Sequence, residues 1–468
     1  MAGQDLLFRS LSDIAEQIRR KDVSPVEVTR AVLDRLERLN PRLNAFMTNL
    51  GEQAVESAQR AEQEIAARQP RGPLHGVPLA LKDIFAMRGV QMTAGSKVLG
   101  TWVPDYDATV VARLKAAGAI FVGTLQLYEF ATGAVLNPHY GPTHNPWQLD
   151  HTAGGSSTGS GAAVAAGIVY GSLGTDTGGS VRIPASLCGL VGLKPTYGRV
   201  SRHGVVPLSW SLDHVGPLTR TVRDTALLLS VISGHDPRDA TTSRLPVPDY
   251  VAALTGKVEG LRVGVPREFF FEGLDADVQQ AVDQAIDQLA ALDVKVSEVA
   301  WASIRQAPAL YAISLAEGAA AHAEWIRTRA DYYGADVRER MRQGLLVPAT
   351  AYLKAQRLRT VVMRDLERTL HEVDVLVTPT APIPAPKLDA GPGEIGAPLG
   401  ALRSTLRRLT QPFNITGSPA VTVPCGFSHD GLPIGLQLIG RPFDEARLLN
   451  LAYAYEQSTP WKDRHPAL

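Results

Sequence analysis

The sequence is short of cysteine, with only Cys188 and Cys425 in 468 residues. Two thiols so far apart make neither the disulfide framework of a small secreted domain nor the paired ligand spacing of a zinc site. They read as reduced and buried. Surplus charge is also missing: Lys plus Arg and Asp plus Glu each total 47. No basic excess is left to neutralise phosphates along a nucleic acid or at a membrane surface. A small-molecule substrate is therefore expected, with no nucleic acid and no membrane partner. Long apolar runs are absent as well. The most apolar stretch, Gly161 to Leu173, is rich in Ala and Gly, is too short to cross a bilayer, and reads as a buried helix. Met1 to Arg20 alternates apolar and charged residues without the basic segment and apolar core of a signal peptide, so a cytoplasmic protein is expected. No metal-ligand cluster or cofactor fingerprint occurs, and neither metal nor cofactor is expected.

What is present is a core. The chain is 45% hydrophobic and 20% charged, the make-up of a packed globular protein. Ser24-Pro25-Val26-Glu27 carries a capping serine, a proline for the first helical position and a glutamate to complete a capping box, so a helix starts there and ends near Pro41. A second helix is predicted over Glu52 to Arg68. Val77 to Phe85 reads as a buried strand interrupted by one anomaly, Lys82. A helix from Ala108 to Ala117 and a strand from Ala119 to Gly123 continue the alternation that defines an α/β protein. Leu261 to Val265 reads as a strand, followed by a more helical insertion over about 265–370. The stretch 379–400 is too rich in Pro, Gly and Ala for regular structure and reads as a pocket rim. Ala420 to Val423 and Ile434 to Ile439 are closing strands before a helix from Asp444 to Gln457. All of 1–468 is taken as one domain, its core over about 70–225.

Two Gly/Ser clusters carry the chemistry: Ala153 to Gly161, and Gly174 to Arg182. Neither has the lysine-hydroxyl ending of a phosphate loop nor the spacing of a dinucleotide fingerprint. Gly155-Ser156-Ser157-Thr158-Gly159 matches a nucleophile elbow with Ser157 at its centre, but the match is cheap in so Gly-rich a segment, and no histidine has a distinguishing context. The alternative base is Lys82. A lysine accepts a proton only when burial lowers its pKa, and the apolar run around Lys82 supplies that burial. On local sequence alone, a structural lysine paired with Asp83 or snorkelling at a strand end is the better fit.

The joint pattern decides. The stretch from Gly154 through Gly174-Thr175-Asp176-Thr177-Gly178-Gly179-Ser180-Val181-Arg182-Ile183-Pro184 to Lys194-Pro195-Thr196 resembles the defining segment of the amidase signature family. Gly76 to Asp83 resembles the strand that bears the family's lysine, and the likeness extends to Asn145-Pro146-Trp147 and Gly431 to Gln437. The resemblance implies one large α/β domain with a central mixed sheet covered by helices on both faces. It implies Ser180 as nucleophile, Ser156 as bridging hydroxyl, reached through a cis Gly155-Ser156 peptide, and Lys82 as base. Backbone donors of an oxyanion hole would come from Thr177, Gly178, Gly179 and Ser180, with Ser157, Asp176 and Arg182 in support. Phe130, Ala131, Thr132 and Gly133 would line the acyl side. No cofactor is implied, and a homodimer is expected by analogy.

Two readings compete within the family. Lys194 to Ser201 and Gly216 to Arg220 resemble the A subunit of the glutamyl-tRNA amidotransferase, which takes ammonia from glutamine for a partner. Leu127 to Ala134, followed by Asn137 to Gly141, resembles stand-alone amidases. Before Pro412, where the glutaminase form has an acid, this chain reads Leu406-Arg407-Arg408-Leu409-Thr410-Gln411. These departures favour a stand-alone hydrolase of small or aryl amides, or of carbamates, acting through an acyl-enzyme.

Overall fold

The computed structural model describes residues 6–389 and 399–468. Its centre is an 11-stranded mixed sheet. The strands are β1 (Phe46–Asn49), β2 (Pro78–Lys82), β3 (Ile120–Leu125), β4 (Gly171–Asp176), β5 (Val191–Lys194), β6 (His214–Thr219), β7 (Arg262–Val265), β8 (Lys295–Glu298), β9 (Val375–Pro379), β10 (Ala420–Phe427) and β11 (Pro433–Ile439). Their spatial order is β1-β3-β2-β4-β6-β5-β10-β11-β9-β7-β8. β2 runs parallel to β3 and β4, and β7 parallel to β8 and β9, while the middle of the sheet is antiparallel. Helices cover both faces, so β2, β3, β4 and β6 are buried along their whole length. Such strands read as unbroken apolar runs because no face meets water.

Local signals explain most boundaries. Ser24 caps the helix Pro25–Leu43, its hydroxyl accepting from the N–H groups of Val26 and Glu27. That helix continues through Pro41 instead of ending there, closing at Asn44 in the left-handed region with φ 49°. The second helix is Gly51–Ala66. Cys188 and Cys425 are free and buried. The stretch Gly161 to Leu173 is not one helix. The helix Thr158–Ala165 stops, the chain turns at Gly167, and β4 carries Leu173. Apolar content alone does not distinguish a buried helix from a buried strand. Of the rim predicted over 379–400, Pro379 ends β9 and 380–389 form no helix or strand, while 390–398 lie outside the described residues. Its last residues enter the helix Leu399–Arg407. Among the described residues, no helix is long and apolar enough to cross a membrane.

Candidate active site

Lys82 is the last residue of β2 and is fully buried. Successive strand residues face opposite ways, and its neighbour Asp83 is turned elsewhere, accepting from the Thr93 N–H at 2.9 Å and hydroxyl at 2.6 Å. The Lys82 side chain ends instead among hydroxyls: Nζ lies 2.9 Å from Ser156 Oγ and 2.8 Å from Thr175 Oγ1. Burial lowers its pKa to about 7, against the opposing pull of Asp176 and Asp213. Lys82 thus exists to a large extent as a neutral amine near neutral pH, with a lone pair beside a serine hydroxyl.

Ser156 follows a cis Gly155–Ser156 peptide. Gly155 admits no side chain, since a Cβ there would lie 2.2 Å from Tyr128 Cζ. Ser157, the centre of the elbow match, sits at the start of the helix Thr158–Ala165, fully buried, with its hydroxyl 3.4 Å from the Thr175 carbonyl. It faces β4, where Gly174 makes room for it. Lys82 therefore meets the first of the two serines.

Ser180 stands in the turn between β4 and the helix Arg182–Cys188. Asp176 builds that turn. Its carboxylate accepts from the Gly179 N–H at 2.7 Å and the Val181 N–H at 3.2 Å, from Arg182 Nε at 3.0 Å and Nη2 at 2.9 Å, and from Asn414 Nδ2 at 2.8 Å. Arg182 is bonded further to Gln437 Oε1 at 2.6 Å and Asn414 Oδ1 at 2.7 Å. The Arg182 charge and these bonds hold the Asp176 carboxyl far below the usual carboxylate range even though burial pushes the other way. Gly179 adopts φ 129°, and a Cβ there would lie 2.2 Å from Thr410 Oγ1, so only glycine fits. The Gly179 N–H, expected as an oxyanion donor, is taken by Asp176. Those of Gly178 and Ser180 have no protein acceptor among the described residues. The Thr177 hydroxyl donates to Asp213 at 2.5 Å.

Ser156, Thr177, Gly178 and Ser180 face one small cleft, whose lining also includes Tyr128, Arg340, Arg403 and Arg407. Of the four residues expected on its acyl side, Ala131 alone lines it. Phe130 and Ala131 have φ of 47° and 56°, a turn that sends the Phe130 ring away to pack against His322, Trp325 and Tyr333. Thr132 presents its carbonyl to Arg403, and Gly133 packs under Glu129. Tyr128, Arg340 and Arg403 are cleft residues that sequence reasoning missed. Each comes from a different helix or loop, and nothing local marks them.

The family described as Amidase matches residues 27–449. The A subunit of the glutamyl-tRNA(Gln) amidotransferase of Moorella thermoacetica is 44% identical, over 99% of this chain and 99% of that protein. The solved A subunit of the same name from Thermotoga maritima superposes with a TM-score of 0.81 at 36% identity, covering 97% of this chain and 96% of that one. A solved chain of a vestigial complex tied to the origins of an s-triazine catabolic enzyme superposes with a TM-score of 0.89 at 36% identity, covering 96% and 98%. The full-length match to these A subunits overturns the expectation of a stand-alone hydrolase of small amides or carbamates, and with it the expectation of a small-molecule substrate and no nucleic acid. Departures confined to the pocket rim weigh less than a match of that extent. Rim residues tune what a pocket holds, whereas the likeness to the A subunits runs over 99% of the chain. A balanced overall charge, moreover, leaves local patches undetermined.

Proposed function

Because the chain belongs to the amidase family, we propose that it is the amide-cleaving subunit of an amidotransferase of the glutamyl-tRNA type, with Ser180 as nucleophile, Ser156 as relay and Lys82 as base. The observation that carries this is the 2.9 Å contact of a buried Lys82, its pKa lowered by burial to about 7, with Ser156. The full-length likeness to the A subunits supports the amidotransferase role.

In the proposed reaction, Ser180 Oγ attacks the amide carbonyl while its proton passes to Ser156 Oγ, and the Ser156 proton passes to the lone pair of Lys82. The N–H groups of Gly178 and Ser180 stabilise the oxyanion. The tetrahedral intermediate then collapses as the relay runs backwards, delivering a proton to the departing nitrogen. Ammonia leaves and an ester to Ser180 remains. Water repeats the cycle on that ester and releases the acid. The ammonia goes to a partner subunit that amidates the tRNA-linked substrate. Asp176 and Arg182 fix the turn, so the donors need no reorganisation when charge develops.

The test is to purify the chain with the partner subunits of its host. Ammonia release from an amide and amidation of glutamyl-tRNA(Gln) are then measured for wild type and Ser180→Ala. Both activities should vanish in the variant. Amide turnover that survives Ser180→Ala removes the nucleophile, and ammonia release with no tRNA product removes the amidotransferase role.

A further inference from the structure

One peptide plane, that of Gly178–Gly179, lies between the two N–H groups proposed to stabilise the oxyanion, those of Gly178 and Ser180. Two glycines in succession hold such a plane loosely by themselves, because neither has a side chain to restrict its backbone. Here the plane is gripped at both ends. Its N–H donates to the Asp176 carboxylate at 2.7 Å. Its carbonyl, on the opposite side of a trans peptide, accepts from the hydroxyl of Thr410 at 2.7 Å. Thr410 is fully buried and immediately precedes the helix Gln411–Thr416. A threonine at that place commonly accepts from the N–H groups of the first turn, yet this side chain caps nothing. Its single proton has two carbonyls within reach, Gly178 at 2.7 Å and Arg407 at 3.2 Å, and the shorter contact goes to Gly178. The Thr410 carbonyl accepts from Arg182 Nη1 at 2.9 Å, so the guanidinium that pairs with Asp176 also holds Thr410 in place. So close an approach needs a glycine opposite, and a Cβ on Gly179 would fall 2.2 Å from Thr410 Oγ1.

We propose that Thr410 is a positioning residue for the oxyanion hole: its hydroxyl locks the Gly178–Gly179 plane, and with it the aim of the Gly178 and Ser180 N–H groups. The proposal rests on Ser180 as nucleophile. Turning the plane over would bring the Gly178 carbonyl toward the Asp176 carboxylate and carry the flanking N–H groups out of line. Asp176 resists that motion from one side and Thr410 from the other. Arg407 and Gln411, close to it in the chain, line the cleft, whereas Thr410 faces the turn. Its effect on the reaction therefore runs through the backbone donors and not through contact with the amide. Preorganised donors count most when negative charge has developed on the carbonyl oxygen, so losing this brace falls on the transition state and spares the bound ground state.

The test uses Thr410→Ala and Thr410→Ser, which both lose the methyl group while only the first loses the hydroxyl. Ammonia release from glutamine is measured for the chain with its partner subunits. Thr410→Ala should lower kcat by about 10- to 100-fold, a smaller loss than deletion of a donor outright, and keep KM within about twofold of wild type. Thr410→Ser should recover most of that loss. Thr410→Cys, a weak donor of similar size, should fall between the two and replaces Thr410→Ala if that protein does not fold. A second arm needs neither partner nor amide. A small alkyl fluorophosphonate forms a P–O bond to Ser180 as fluoride leaves, and its phosphoryl oxygen calls on the same donors. Labelling should slow in Thr410→Ala by a factor close to that on kcat, with Ser180→Ala as the unlabelled control. Unchanged kcat in Thr410→Ala, a change confined to KM, or a Thr410→Ser protein as slow as Thr410→Ala overturns the inference and leaves the relay standing. No ammonia from wild type, with labelling of Ser180 still slowed by Thr410→Ala, overturns the amidotransferase reading and keeps the brace. A wild type that takes no label at Ser180 sinks both.

Discussion

Two buried groups of charge flank Ser180, and they are built on opposite principles. On one side Asp176, Arg182, Asn414 and Gln437 form a closed network in which both charges are fully buried and bonded. On the other, Arg340, Arg403 and Arg407 stand together with no carboxylate within ion-pair distance among the described residues, Asp336 acting on Arg340 only from farther off. A closed network holds a shape. An open one holds a place for something that is not part of the protein. Lys82 belongs to neither group, since burial lets it shed its proton, a course closed to arginine.

The sharpest break of this comparison concerns Lys82. If its role is to be the neutral partner of Ser156, Lys82→Ala should cut kcat by about 10⁴-fold or more, as loss of one member of a catalytic unit does. Ammonia release at saturating amide is the measurement, and near wild-type turnover would make Lys82 a structural residue. Next in size is the closed network. Asp176→Asn leaves Arg182 buried beside a neutral amide, and losing one partner of a buried pair costs about 3–5 kcal/mol. Urea unfolding of the variant should show that loss. A difference under about 1 kcal/mol would mean the network is not what holds the Ser180 turn.

A smaller effect follows from pH. With the pKa of Lys82 lowered to about 7, kcat/KM should rise about tenfold per unit as pH climbs toward 7 and level off above it. Stability responds with a sign that follows from the same shift. The unfolded chain binds the extra proton between about 7 and 10.5, so this lysine's contribution to stability rises with pH across that window and stays unfavourable below it. A rate profile flat from about pH 5.5 to 8 would count against Lys82 as base.

Much of this was legible in the sequence, but unevenly. Strands such as Val77 to Phe85 announce themselves because burial on both faces demands apolar runs, and Ser24 marks its helix by a side-chain cap. The serine pair and Lys82 became readable through resemblance, because local sequence offered Ser157 as nucleophile and Asp83 as the lysine's partner. Only three-dimensional placement turns Ser157 toward β4 and Asp83 toward Thr93. The donor role of Gly179 failed for a similar reason, since nothing in Gly178-Gly179-Ser180 says that Asp176 captures one of its N–H groups. The arginine wall was the least legible. An arginine on a helix is ordinary, and Arg340 and Arg403 are brought to one cleft by packing between elements far apart in the chain.

The smallest predicted effect separates the two groups by sign. Removing a charge from the closed network destabilises the fold, whereas removing one from the open wall should do the reverse. Arg407→Gln relieves repulsion with Arg403 and Arg340 and gives up one cation–π contact with Tyr311. Relief of such functional strain commonly returns about 0.5–2 kcal/mol, and a cation–π contact open to solvent on one side is worth about 0.5–1 kcal/mol. The net expectation is a gain of up to about 1 kcal/mol without ligand, read as a higher Tm of the chain alone. A variant less stable than wild type would show that the arginines are already satisfied, and the contrast between closed and open charge would then fail.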